Sequence, residues 1–105
     1  MIDLIRTEQF EDLWNGKGPN KFIILFSAAW CVPCKSMDKN LLDETAKQAR
    51  LPIYYSDFVL NEEIATRCDI KTFPTFVVFK PGAIVARHTG ADTIRAVLFI
   101  KRNKA

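Results

Sequence analysis

Phe22-Ile23-Ile24-Leu25-Phe26, followed after a short link by Trp30-Cys31-Val32-Pro33-Cys34, reads as a buried strand that runs into a dithiol at the start of a helix. The apolar run lacks alternation, which suits a central strand covered on both faces. Two cysteines three positions apart at a helix start lie one turn apart, so their sulfurs can close and reopen a small ring with little backbone movement. A loop that short removes little entropy from the unfolded chain. The pair therefore suits exchange chemistry better than stapling.

The chain has 105 residues, enough for one domain with its own core, expected to span 1–105. With 49% apolar and 26% charged residues it has an ordinary globular composition, which argues against disorder and against a coiled coil. The net charge is +3, and the basic residues are scattered except for Lys101-Arg102-Asn103-Lys104. That run fits a helix end, where cations oppose the negative pole of the dipole. Nucleic acid is not expected as a partner, because no nucleic-acid motif accompanies it. Met1 to Arg6 has no long apolar core behind a basic flank, and no stretch approaches the length of a membrane span. An intracellular protein without a membrane anchor is expected.

Strand and helix signals alternate along the chain. Ile2, Leu4 and Ile5 suggest a first strand. Thr7 is placed to cap a helix with Phe10, Leu13 and Trp14 on one face, ending at Asn15-Gly16. Residues 21–27 form the central strand. Residues 33–49 read as one helix with Pro33 in its first turn and Met37, Leu41 and Thr45 in a stripe. Pro52 opens a strand through Ile53 to Ser56, and Asn61 starts a short helix with Ile64 and Cys68 on one side. Residues 75–80 and 83–89 form a hairpin around Pro81-Gly82. Gly90 precedes a last helix in which Ile94, Val97, Leu98 and Lys101 follow helical spacing. The order βαβαβαββα predicts one α/β domain.

With these elements the chain resembles the thioredoxin family over almost its whole length. Trp30-Cys31-Val32-Pro33-Cys34-Lys35 is similar to the family's active-site signature, Phe73-Pro74-Thr75-Phe76 to its cis-proline segment, and Phe79-Lys80-Pro81-Gly82 to its hairpin turn. Thr89-Gly90 is similar to the glycine ahead of its final helix. The resemblance implies a mixed five-stranded sheet with about four helices on its two faces, and a cis Pro74 facing the dithiol. It also implies a protein-disulfide reductase with no bound cofactor. Electrons would come from NADPH through a flavin-containing thioredoxin reductase. The partners would be that reductase and disulfide-containing proteins, and the chain would be a cytoplasmic monomer.

The roles of the site residues follow from this frame. Cys31 at the helix N-cap would meet unpaired backbone N–H groups that stabilise a thiolate, while Cys34 lies one turn inside and is shielded. Cys31 is the expected nucleophile and Cys34 the resolving thiol. Trp30, Val32 and Pro33, with Phe73, Pro74 and Gly90, are the expected substrate-binding residues. Phe73 would offer its backbone to an extended substrate segment. Trp14 is read as the core tryptophan.

Four positions depart from the family pattern. The aspartate usually buried six residues before the first cysteine is Leu25, and the lysine that accompanies it is Tyr55. Both charges are missing together, as expected where either alone in an apolar core would be costly. The usual Gly-Pro between the cysteines is Val32-Pro33. The kinking proline of the following helix is Lys39, which predicts a straighter helix.

Other residues carry less. Cys68 reads as a small buried hydrophobe. A metal site made from Cys31, Cys34, Cys68 and the lone His88 is not expected, because structural zinc sites pair short ligand clusters. Asp57 reads as a solvated strand end, and Lys35 covers its helix with its stem or attracts anionic partners. Two other activities fit the residues. One is a disulfide oxidant or isomerase with a shifted potential; the other is a thioredoxin-fold binding subunit of a larger complex.

Overall fold

A computed structural model describes residues 1–105. In chain order it contains β1 (Ile2–Leu4), α1 (Thr7–Trp14), β2 (Phe22–Ser27), α2 (Val32–Lys35), α3 (Lys39–Gln48), β3 (Ile53–Asp57), α4 (Glu62–Arg67), β4 (Thr75–Lys80), β5 (Ala83–Thr89) and α5 (Thr93–Arg102). The five strands lie in the order β1-β3-β2-β4-β5. β1, β3 and β2 are parallel, and β4 and β5 run antiparallel to their neighbours, so the sheet is mixed as expected.

Every residue of β2 is buried, and its side chains alternate between two separate cores. Ile23 and Leu25 pack with Leu42, Ala46, Phe76, Val78, Phe99 and Ile100 on the side of α3 and α5. Phe22, Ile24 and Phe26 pack with Phe10, Leu13, Ile64, Cys68, Val77 and Phe79 on the side of α1 and α4. Double coverage is the reason the run shows no polar alternation. Trp14 is half-buried at the margin of the second core, with its ring 6.0 Å from Phe10 and 6.3 Å from Phe79.

Residues 33–49 do not form one helix. The chain leaves helical geometry between Lys35 and Lys39, giving five helices instead of four. No proline causes the break. Ser36 Oγ donates to the carbonyl of Pro33 at 2.8 Å, and the Asp38 carboxylate accepts from Leu41 N at 3.0 Å, so Asp38 caps a new helix. The break shifts the stripe: Leu42, Thr45 and Ala46 are buried and Leu41 is exposed. The straighter helix expected from Lys39 is therefore not found.

Other local readings shift in the same way. Arg6, not Thr7, is the N-cap of α1; the side chain of Gln9 takes the amides of Ile5 and Arg6, each at 2.9 Å, and this ends β1 before Ile5. The Thr7 hydroxyl donates instead to Glu63 at 2.9 Å. α5 turns Ala96, Val97, Phe99 and Ile100 inward and leaves Ile94 and Leu98 exposed. The hairpin and the Asn61 cap of α4 match their expected positions, and Gly82 takes the positive φ of +76° that its turn requires.

Candidate active site

The site is built where β2 ends. After Ser27 the chain turns, Cys31 N donates to the carbonyl of Ala28 at 3.0 Å, and Cys31 takes an extended conformation as the N-cap of α2. Pro33 sits in the first turn, where its missing N–H costs nothing. Cys31 and Cys34 form a disulfide, and Cys34 N donates to Cys31 Sγ at 3.3 Å. That N–H points at Cys31 Sγ, where a donor favours negative charge once the bond is reduced. Because α2 has only four residues, this single donor matters more than a long helix dipole.

Both sulfurs are covered in the disulfide state. Cys31 is 5% exposed and Cys34 4%, so the expected contrast between an open and a shielded cysteine is absent here. Phe58 and Phe73 pack over the pair together with Ala28. The rings form a chain: Trp30 stands edge-on to Phe73 at 5.6 Å, and Phe73 lies 5.3 Å from Phe58. Trp30 and Val32 face solvent on the outer rim.

The segment opposite the dithiol comes from the approach to β4. The Phe73–Pro74 bond is cis, as the resemblance implied. The Phe73 carbonyl oxygen lies 3.7 Å from Cys31 Sγ, and the Pro74 carbonyl accepts from Gly90 N at 3.1 Å. Gly90 has a φ of +113°, a conformation that disfavours side chains. Phe73 thus faces Cys31 directly, Trp30 adjoins Phe73, Gly90 is bonded to Pro74, and Val32 and Pro33 link the two cysteines along the chain.

Asp57 is not a solvated strand end. Its Oδ1 accepts from Ala29 N at 3.2 Å and from Val59 N at 2.9 Å, while Phe58 N donates to the carbonyl of Ser27 at 2.9 Å. One carboxylate oxygen thereby ties the approach to Cys31 to the turn after β3. The signal within the sequence was the aspartate two residues before an amide it can accept from, an Asx turn. The longer link to Ala29 has no local signature.

Cys68 is buried in the core on the α1 and α4 side, and burial pushes its thiol up to about 11 despite Arg87 and Arg67 nearby. His88 lies on the other face of the sheet, stacked on Phe99 at 5.3 Å. The two cannot share a ligand set with the dithiol, and the residues form no cluster of three or more His, Cys, Asp or Glu able to hold a metal ion. No helix is long and apolar enough to cross a membrane.

A strand-to-helix dithiol facing a cis-proline on a mixed sheet of this topology defines a thiol–disulfide exchange protein. The thioredoxin family model matches residues 2–101. The chain is 30% identical to a thioredoxin of Ovis aries over 83 residues, 79% of each chain. It superposes on the thioredoxin of Fasciola hepatica with a TM-score of 0.84 at 30% identity, covering 99% of this chain and all of that one. It also superposes on mitochondrial thioredoxin 3 of Saccharomyces cerevisiae with a TM-score of 0.82 at 27% identity, covering 97% and 94%. The chain belongs to the thioredoxin family. It is a thiol–disulfide oxidoreductase, with Cys31 and Cys34 at the active-site position of protein-disulfide reductases, which places it apart from purely binding subunits.

Proposed function

We propose that residues 1–105 act as one monomeric domain that reduces protein disulfides in the cytoplasm, taking electrons from NADPH through a thioredoxin reductase. The Cys31 thiolate attacks one sulfur of the substrate disulfide, forming a mixed disulfide and expelling the other substrate sulfur as a thiolate that takes a proton. Cys34, deprotonated, then attacks Cys31 Sγ, which releases the second substrate thiolate and leaves the Cys31–Cys34 disulfide. The reductase returns two electrons and the dithiol re-forms.

The observation that supports this order is the Cys34 N–H directed at Cys31 Sγ, a donor that favours charge on Cys31. Trp30, Val32, Pro33, Phe73, Pro74 and Gly90 bind the substrate segment in this reading, a role supported by the Phe73 carbonyl beside Cys31 Sγ, the Trp30 ring against Phe73 and the Gly90–Pro74 hydrogen bond. The test is insulin reduction coupled to NADPH and a thioredoxin reductase. Turnover that needs all three components supports the proposal. A protein that oxidises dithiols in glutathione buffer and reduces no insulin would refute it.

A further inference from the structure

The turn after β3 follows Phe58, one of the rings packed beside the dithiol. Val59 and Leu60 are 58% and 67% exposed, more than their apolar character favours, and they follow Phe58, whose ring packs on Phe73. This turn is fixed in place. Asp57 Oδ1 accepts from both Ala29 N and Val59 N, and the Asp57 carbonyl accepts from Leu60 N at 3.0 Å and from Asn61 N at 2.9 Å. One carboxylate oxygen, Oδ1, is occupied by these two backbone amides, and it holds the apolar pair in place.

We propose that Val59 and Leu60 form a docking shelf for an apolar side chain close in sequence to the disulfide cysteine of a protein substrate. The inference rests on the reductase reading above. Continuity argues for that occupant: Val59 and Leu60 directly follow Phe58, whose ring meets Phe73 and through it Trp30, in a row of rings beside the sulfurs. A substrate that delivers its cysteine to Cys31 lays its neighbouring residues along that row. Apolar side chains gain by leaving water there, and charged ones do not. The shelf thus acts on binding and leaves the sulfur chemistry alone.

The test compares three disulfides: a cyclic peptide with leucines flanking its cysteines, the same peptide with lysines, and hydroxyethyl disulfide, which has no flanking side chains. Leu60→Asp and Val59→Asp should lower kcat/KM for the leucine peptide about tenfold, the cost of one partly buried apolar side chain. Reduction of hydroxyethyl disulfide should stay within about twofold of wild type, on the same basis that no shelf contact is lost. Leu60→Ser, which adds no charge, should reproduce the loss. Both residues are exposed, so the variants should keep the wild-type melting temperature.

Equal losses on all three disulfides, or none on the leucine peptide, would overturn the shelf. So would a wild-type dimer in sedimentation that Leu60→Asp disperses, since a second copy would then be the occupant. If the wild type reduces none of the three, the reductase reading itself fails. That result is separate from a reductase that is indifferent to Leu60.

Discussion

Leu25 and Tyr55 are direct partners in the parallel register of β2 and β3, and the Lys39 ammonium stands 5.9 Å from the centre of the Tyr55 ring. Three departures from the family pattern therefore form one physical unit. An aspartate and a lysine would meet at positions 25 and 55; a leucine and a tyrosine meet there instead. The positive charge lies outside, over the face of the ring, where a cation is attracted by the π-electrons and remains hydrated. Apolar packing stands where the family pattern has two charges, an arrangement that is often neutral or stabilising relative to a buried pair.

Restoring only the carboxylate should be costly. Leu25 is buried between Tyr55 and Phe76 in the sheet register. Leu25→Asp loses its packing and leaves a carboxyl without a positive partner, which should destabilise the fold by about 3 kcal/mol. The same change should speed release of the mixed disulfide by giving Cys34 a nearby base. Denaturant midpoints and single-turnover rates measure both effects. An aspartate variant as stable as wild type and no faster would place position 25 outside both the core and the chemistry.

Lys39→Ala removes the cation from the Tyr55 ring. A loss of about 0.5–1 kcal/mol is expected, the range for such a contact at an exposed site. Denaturant unfolding of Lys39→Ala, Tyr55→Leu and Lys39→Ala/Tyr55→Leu against wild type provides the measurement. The lysine change should cost less once the ring is gone.

Which features could be read from the sequence depended on whether their cause was local. The uniform apolar run of β2, the Pro81-Gly82 turn and the Asn61 cap are set by residues within a few positions, and each lies where expected. α5 differed because Ile94 and Leu98 fit a 3.6 period as well as Phe99 and Ile100 do. Only the packing against the sheet selects the buried set. The break before α3 was hidden because Asp38 is acceptable inside a helix and acts as a cap only when its side chain turns back to Leu41 N. At the site, the cysteines, Trp30 and Pro74 were readable from spacing and resemblance. The role of Asp57 was not, since one of its partners, Ala29, lies 28 residues away.

Asp57 should act by position more than by charge. Asp57→Asn keeps an oxygen that can accept from Ala29 N and Val59 N, whereas Asp57→Ala leaves both amides without it. The alanine variant should lose about 1–2 kcal/mol of stability and reduce insulin more slowly, and the asparagine variant should recover most of both. Matching defects in the two variants would assign the effect to the negative charge.

His88 should make stability fall in mild acid. Its ring is stacked on Phe99, no protein group bonds its buried Nε2, and burial lowers its pKa, with Arg102 and Arg95 adding to the effect against Asp92. The folded state therefore binds the proton more weakly than the unfolded chain, whose histidine titrates near 6.5. The histidine contribution is fully present above that pH and is lost as pH falls toward the lower folded value. His88→Phe should flatten this part of the pH profile of the unfolding free energy. An unchanged slope between neutral pH and the onset of carboxylate titration would exclude His88 as its source.

The division of labour between the thiols is tested by separating attack from resolution. Cys31→Ser should abolish insulin reduction, because no nucleophile remains at the N-cap, and Cys34→Ser should accumulate covalent mixed disulfides that nothing resolves. Cys68 gives an internal control: with its thiol pushed up to about 11 in the core, it should resist alkylation near neutral pH until the protein unfolds. In the reduced wild type, iodoacetamide should label Cys31 first, favoured by the Cys34 N–H that stabilises its thiolate. Phe58 and Phe73 cover both sulfurs in the disulfide, so rapid labelling also requires the reduced site to open toward solvent. Mass spectrometry of timed digests reads the order of labelling. Faster modification of Cys34 would reverse the assignment of nucleophile and resolving thiol.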